Sequence, residues 1–224
     1  GSINTTKTSA NVDAGFSMVT YTGNVTEGAT VGHGLSKAPE LMFVKRRNVA
    51  GGWMTYSAAT GATKTFTLNS TEPAYTSSGI WNNTAPTADV FSLGSNGAVN
   101  ANGGTYLAYC FHSVDGYSKV GSYEGNNNAD GTFVYTGFQP KFIIIKDIDA
   151  AQSWNLYDSV RDTNENPVNL SLLADNTNAE ASGNPIDFLS NGFKLRDGSG
   201  MINDAETYIY IAFAESPFKY SNAK

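Results

Sequence analysis

The sequence predicts an all-β protein, an antiparallel β-sandwich of jelly-roll type built from two tandem, sequence-related copies. Three observations lead there. Short β-prone runs alternate with clusters of Gly, Asn, Asp and Ser, which is the spacing of a sandwich or barrel. An apolar period of 3.6 residues is not sustained anywhere beyond a turn or two; residues 172–181 alone suggest a short helix. The chain also repeats itself. Pro39, Lys45, Trp53 and Tyr56 recur 101 positions later as Pro140, Lys146, Trp154 and Tyr157, and Tyr106 and Phe111 recur 102 positions later as Tyr208 and Phe213. A unit of about a hundred residues is domain-sized, whereas solenoid repeats run to roughly 20–50 residues.

In chain order, residues 1–14 are small and polar with almost nothing to bury, so a flexible leader, or the tail end of a connection to something upstream, is expected there. The first copy is placed at 15–115 and the second at 116–224, packed tightly on the first because no Pro- or Ser-rich spacer separates them. Phe16 to Tyr21 reads as a strand running into the Thr22-Gly23-Asn24 turn. Residues 41–45 and 142–146 are nearly continuous apolar runs behind Pro39 and Pro140. Each reads as a strand buried on both faces at the centre of its copy, with the proline at the entrance, where no ladder donor is lost. Further strands are expected at 53–57, 65–68, 89–93 and 105–112, with counterparts at 154–157, 168–173, 192–195 and 207–214. Pro217-Phe218-Lys219-Tyr220 rhymes with the openings Gly15-Phe16-Ser17 and Gly116-Tyr117-Ser118.

Composition narrows the function. With 40 % hydrophobic residues in 224 the chain can bury a real core, and with only 15 % charged residues its surface is neutral-polar. A net charge of −6 argues against nucleic acid as partner; the one basic run, Lys45-Arg46-Arg47, reads as a solvated strand end. The absence of any run of about 18 apolar residues argues against a membrane helix. The single Cys110 excludes an internal disulfide and fits a small buried apolar role.

Catalytic, metal and cofactor sites are not expected. His33 and His112 have no partners at recognisable spacing and are assigned structural roles. A Gly-x-Ser-x-Gly elbow and a phosphate loop are both missing, and the carboxylates are too scattered to nominate a glycosidase pair. Asn126-Asn127-Asn128-Ala129-Asp130-Gly131 resembles half a calcium loop but reads better as a turn. Trp53 and Trp154 occupy the same place in both copies and are expected as core or inter-strand packing residues. Trp81, in a polar loop without a counterpart, pairs an aromatic ring with amides, as sugar sites do; its alternative is a plug at the end of the sandwich or an intersubunit contact. The copies disagree most at 71–88 against 176–185. The ligand-binding candidates are therefore Tyr75, Trp81, Asn82 and Asn83, on a loop whose replacement should leave stability unchanged.

The runs Val31-Gly32-His33-Gly34-Leu35, Trp81-Asn82-Asn83-Thr84-Ala85-Pro86, Gly121-Ser122-Tyr123-Glu124-Gly125, Asp187-Phe188-Leu189-Ser190-Asn191-Gly192 and Ala212-Phe213-Ala214-Glu215-Ser216-Pro217-Phe218 resemble a domain of unknown function. It recurs in tail-fibre and other virion proteins of marine tailed bacteriophages. The match spans roughly residue 15 to the C-terminus and carries over no catalytic residues. The resemblance implies a module on the virion surface, a homotrimer among other virion proteins, with a receptor-binding or adhesin role toward a host cell-surface glycan. The alternatives are a non-catalytic capsid decoration or tail connector and, behind it, a polysaccharide depolymerase.

Overall fold

The structure, a computed structural model, describes residues 1–162, 166–198 and 200–217. Strands account for 46 % of it and helix for 4 %, and the sheets are antiparallel. Two units form, Gly1–Asn69 with Ala74–His112, and Ser70–Pro73 with Ser113–Lys224. The divide after His112 precedes the expected 115/116 boundary, and the short segment 70–73 groups with the second unit.

The first unit contains β1 (Thr5–Asn11), β2 (Phe16–Thr22), β3 (Ala29–Gly32), β4 (Leu41–Arg46), β5 (Trp53–Ser57), β6 (Lys64–Thr67), β7 (Tyr75–Thr76), α1 (Ser78–Trp81), β8 (Val90–Leu93), α2 (Gly97–Asn100) and β9 (Thr105–Phe111). A seven-stranded sheet runs β1-β2-β9-β4-β5-β6-β7, and β3 pairs with β8 in a separate ribbon. The two-residue period of the strands decides which side chains meet. Val19, Ala108, Val44 and Met54 lie directly opposite one another across four strands, and Met42, Tyr56 and Cys110 form a neighbouring row. Both rows enter the core, which also takes Val31, Phe91 and Leu93 from the ribbon. Strand β4 sits between β9 and β5 with Leu41, Met42, Phe43 and Val44 buried, as the apolar run requires.

Residues 1–14 are not a flexible leader. β1 pairs with β2 along its length, and Ile3 is buried beside Val31. The side chains of β1 are nearly all exposed, so hydrophobicity could not reveal it. An edge strand needs only main-chain hydrogen bonds to its neighbour, and any non-proline sequence supplies those.

The second unit contains β10 (Ser118–Glu124), β11 (Phe133–Tyr135), β12 (Pro140–Asp147), β13 (Asn155–Asp158), β14 (Val168–Leu173), β15 (Ala181–Leu189), β16 (Gly192–Leu195) and β17 (Thr207–Ala214). They form one sheet in the order β10-β17-β12-β13-β14-β15-β16-β11. This sheet curls into a near-closed barrel around Ile143, Ile145, Tyr157, Ile186, Phe193 and Tyr208. Its edges β10 and β11 are consecutive in the chain, and Thr132 Oγ1 donates to Glu124 O across the gap at 2.8 Å. The helix expected within 172–181 does not form: β14 continues to Leu173, a turn follows, and β15 begins at Ala181. Of the rhyming terminal run, Phe218 to Tyr220 lie outside the described residues.

The order β2-β9-β4-β5-β6-β7 of the first unit has the same sense as β10-β17-β12-β13-β14-β15 of the second. The units part at the next step. β15 spans nine residues and pairs with both β14 and β16, whereas β7 has two residues and the chain then turns into α1. Main-chain N–H groups of Gly94 and Asn96, just past β8, donate to Ile80 O and Gly79 O at 2.8 and 2.9 Å. In the first unit β7 is thus followed by a helical turn, where in the second β15 runs on into its pairing with β16.

Candidate functional site

Residues shared by the two halves are explained by packing. Tyr21 stacks on Tyr106 with ring centroids 5.0 Å apart and donates its hydroxyl to Val99 O at 2.8 Å; Tyr123 stacks on Tyr208 at 5.0 Å and donates to Ile202 O at 2.8 Å. Beneath them, fully buried Asn100 accepts from Asn24 N at 3.0 Å and donates to Gly94 O and Thr26 O. Asn203 likewise accepts from Asn126 N at 3.1 Å and donates to Asp197 O and Asn128 O. A buried amide that saturates its hydrogen bonds in this way holds three chain segments together. Gly23 and Gly125 leave room for them: a Cβ there would stand 2.5 Å from Ala101 O and 1.9 Å from Asp204 O.

Two further residues recur and behave differently. Lys45 Nζ donates to Gly51 O, and Lys146 Nζ donates to Gln152 O at 2.8 Å, so each lysine closes the loop after its own strand. Lys146 is fully buried and also donates to Thr71 O at 3.1 Å; burial pulls its ammonium down to about 8 against the opposing pull of the Asp147, Asp175 and Glu72 carboxylates. Trp154 is 1 % exposed, as expected of a core residue. Trp53 is part-exposed, because the row that carries it, Thr20, Leu107, Lys45 and Trp53, faces away from the core. Of the two expected roles, Trp154 takes the core one and Trp53 the inter-strand one, stacked on Tyr109.

That outward row ends in an open groove of about 600 Å³ lined by Lys45, Arg46, Arg47, Asn48, Trp53 and Leu107, with Val49 and Ala50 at its lip. Trp53 stacks nearly parallel on Tyr109 at 6.0 Å, and the Lys45 ammonium stands 5.9 Å from its ring centre, at the outer reach of a cation–π contact. The Arg46 guanidinium is held by Asn48 Oδ1 at 3.1 Å and Gly97 O at 3.3 Å. None of the lining residues is acidic. The groove therefore combines an aromatic ring, an amide and three cations on a two-stranded hairpin anchored in the sheet. Sequence reading passed over it because Lys45-Arg46-Arg47 resembles any solvated strand end until Trp53 folds back beside it.

The expected quartet does not form one surface. Trp81 is 1 % exposed, packs edge-to-face against Tyr56 at 5.9 Å and belongs to the first unit's core with Ile80. As the last residue of α1, it fills the interior of the first unit. Its ring offers no face to a ligand, so it fits the expected plug and not the sugar platform. Asn82 and Asn83 take left-handed backbone conformations, φ 52° and 49°, at the end of α1, a role asparagine tolerates better than most residues. Tyr75 is 45 % exposed on edge strand β7. A loop holding Ile80 and Trp81 cannot be exchanged for Gly and Ser without loss of stability, which reverses the expectation drawn from repeat divergence.

The remaining candidates are structural. His33 is fully buried, with Nε2 donating to Thr87 O at 3.1 Å and Nδ1 accepting from Leu35 N at 3.2 Å, an arrangement that uses the neutral ring; burial lowers its pKa. His112 is buried at the end of β9. In the Asn126 loop the side-chain oxygens of Asn126 and Asn128 accept from main-chain N–H groups of Asn128 and Asp130, and Asp130 pairs with Lys194 at 2.6 Å, which is turn chemistry. Among the described residues no group of three or more His, Cys, Asp or Glu is placed to hold a metal ion. No helix is long and apolar enough to cross a membrane among the described residues.

Comparison with known proteins bears on the family alone. Neither a search of the curated proteins nor one of the solved structures finds a match. A family model matches residues 1–217, and the chain belongs to that family, described as Domain of unknown function (DUF7483).

Proposed function

We propose that this chain is a glycan-binding module of a virion surface protein, of the receptor-binding or adhesin type, and that the Trp53 groove is its binding site. One observation carries the reading: a part-exposed tryptophan, backed by Tyr109, shares an open groove at the β4–β5 turn with the Asn48 amide and three cationic side chains. Aromatic rings offer sugars a flat apolar face, and nearby amides and cations supply the hydrogen bonds that fix orientation. A sheet-anchored hairpin suits this role because it orders few groups on binding. The virion setting rests on the resemblance of the motifs to those of phage virion proteins.

The test is a glycan array probed with labelled chain, followed by calorimetry on the best ligand with wild type and Trp53→Ala. Binding should fall at least tenfold in the variant, with the fold intact by circular dichroism. An array and host envelopes that capture no chain, or binding that Trp53→Ala leaves unchanged, would overturn the proposal.

A further inference from the structure

Resting on that reading, we infer that the groove selects acidic glycans, those bearing carboxylate, sulfate or phosphate groups, with Arg47 as the specificity-determining residue. The argument starts from where positive charge goes unmatched. Among the described residues, the ion pairs use Arg161, Lys194 and Arg196, all in the second unit. Lys45, Arg46 and Arg47 form none. Lys45 and Arg46 are tied to neutral acceptors, the carbonyls of Gly51 and Gly97 and the Asn48 amide, which position the charges without cancelling them.

Three adjacent uncompensated cations are unusual in a chain whose net charge is −6. Like charges on neighbouring residues repel, and nothing acidic lines the groove to relieve them. An anion entering beside Trp53 would. Arg47 is exposed at the end of β4, its main-chain N–H bonded to Thr105 O at 2.7 Å, so its backbone is fixed. Its planar fork matches a carboxylate or sulfate in two parallel hydrogen bonds, which a neutral hydroxyl cannot reproduce. A sugar ring over Trp53 with its acidic substituent toward Arg47 uses both halves of the groove. A nucleic-acid strand presents phosphates every few ångströms and needs a longer basic track than this.

The experiment titrates the full chain with oligosaccharides carrying uronate, sialate or sulfate groups, each paired with a carboxyl-reduced or desulfated counterpart, at low and high salt. Wild type should prefer the acidic member by about tenfold, the preference shrinking at high salt as exposed pairs are screened. Arg47→Gln should remove the preference while keeping neutral binding, Arg47→Lys should restore part of it, and Trp53→Ala should weaken both members. Equal binding of both members, lost in Trp53→Ala, would overturn the acidic selectivity and leave the glycan function standing. An acidic preference that survives Arg47→Gln would overturn the role of Arg47. No binding of any member would remove the glycan function as well.

Discussion

Replacing Trp81 with Ala should be among the most damaging single changes in the first unit. The ring is 1 % exposed and set in the core against Tyr56, at the end of the helical turn α1. An indole of this kind buries about 200 Å², and at about 25 cal/mol per Å² its removal from the core costs up to roughly 5 kcal/mol, within the 3–5 kcal/mol typical of Trp→Ala. The indole N–H has no hydrogen-bond partner among the described residues, so the loss is one of packing alone. That orphan donor makes Trp81→Phe informative. Phe removes a buried unsatisfied N–H whose burial costs about 1–3 kcal/mol, which offsets much of the smaller ring's lost contact. Urea unfolding followed by far-ultraviolet circular dichroism should therefore rank wild type near Trp81→Phe and well above Trp81→Ala. A midpoint shift worth less than about 1 kcal/mol in Trp81→Ala would refute the packing argument and return Trp81 to the surface.

Three other outcomes follow from burial. Trp154→Ala should cost about 3–5 kcal/mol in urea, whereas part-exposed Trp53→Ala should cost clearly less; the reverse ranking would contradict the outward row. Cys110 is fully buried and its thiol is pushed up to about 12, so Ellman's reagent at pH 8 should label it only after denaturant is added, and prompt labelling of the native chain would count against its place in the core. Lys146 falls from 10.5 to about 8 on folding, so between those values the unfolded chain holds a proton that the folded chain has released, and the Lys146 contribution to stability should rise with pH across that window. Urea midpoints from pH 7.5 to 9.5 should rise more steeply in wild type than in Lys146→Met; parallel slopes would refute this.

Sequence by itself determined the β class, the inner strands and the positions that both halves share, because these depend on local patterns. A continuous apolar run behind a proline has few other readings than a strand, and β4 and β12 formed there; β4 is buried on both faces, whereas β12 leaves Phe142 and Ile144 part-exposed. His33 and Cys110 were likewise legible as structural. Partner-dependent features were not. β1 carries no apolar pattern, since main-chain hydrogen bonds to β2 hold it in place. Nothing local marks Asn100 and Asn203, whose amides find their partners only when distant segments of the chain close around them. Trp81 and Trp53 were not legible locally: the polar loop around Trp81 folds its ring inward into the core, while strand parity turns Trp53 outward beside Lys45. Which face a ring presents is a long-range property of register and layer, and a stretch of sequence around the ring does not contain it.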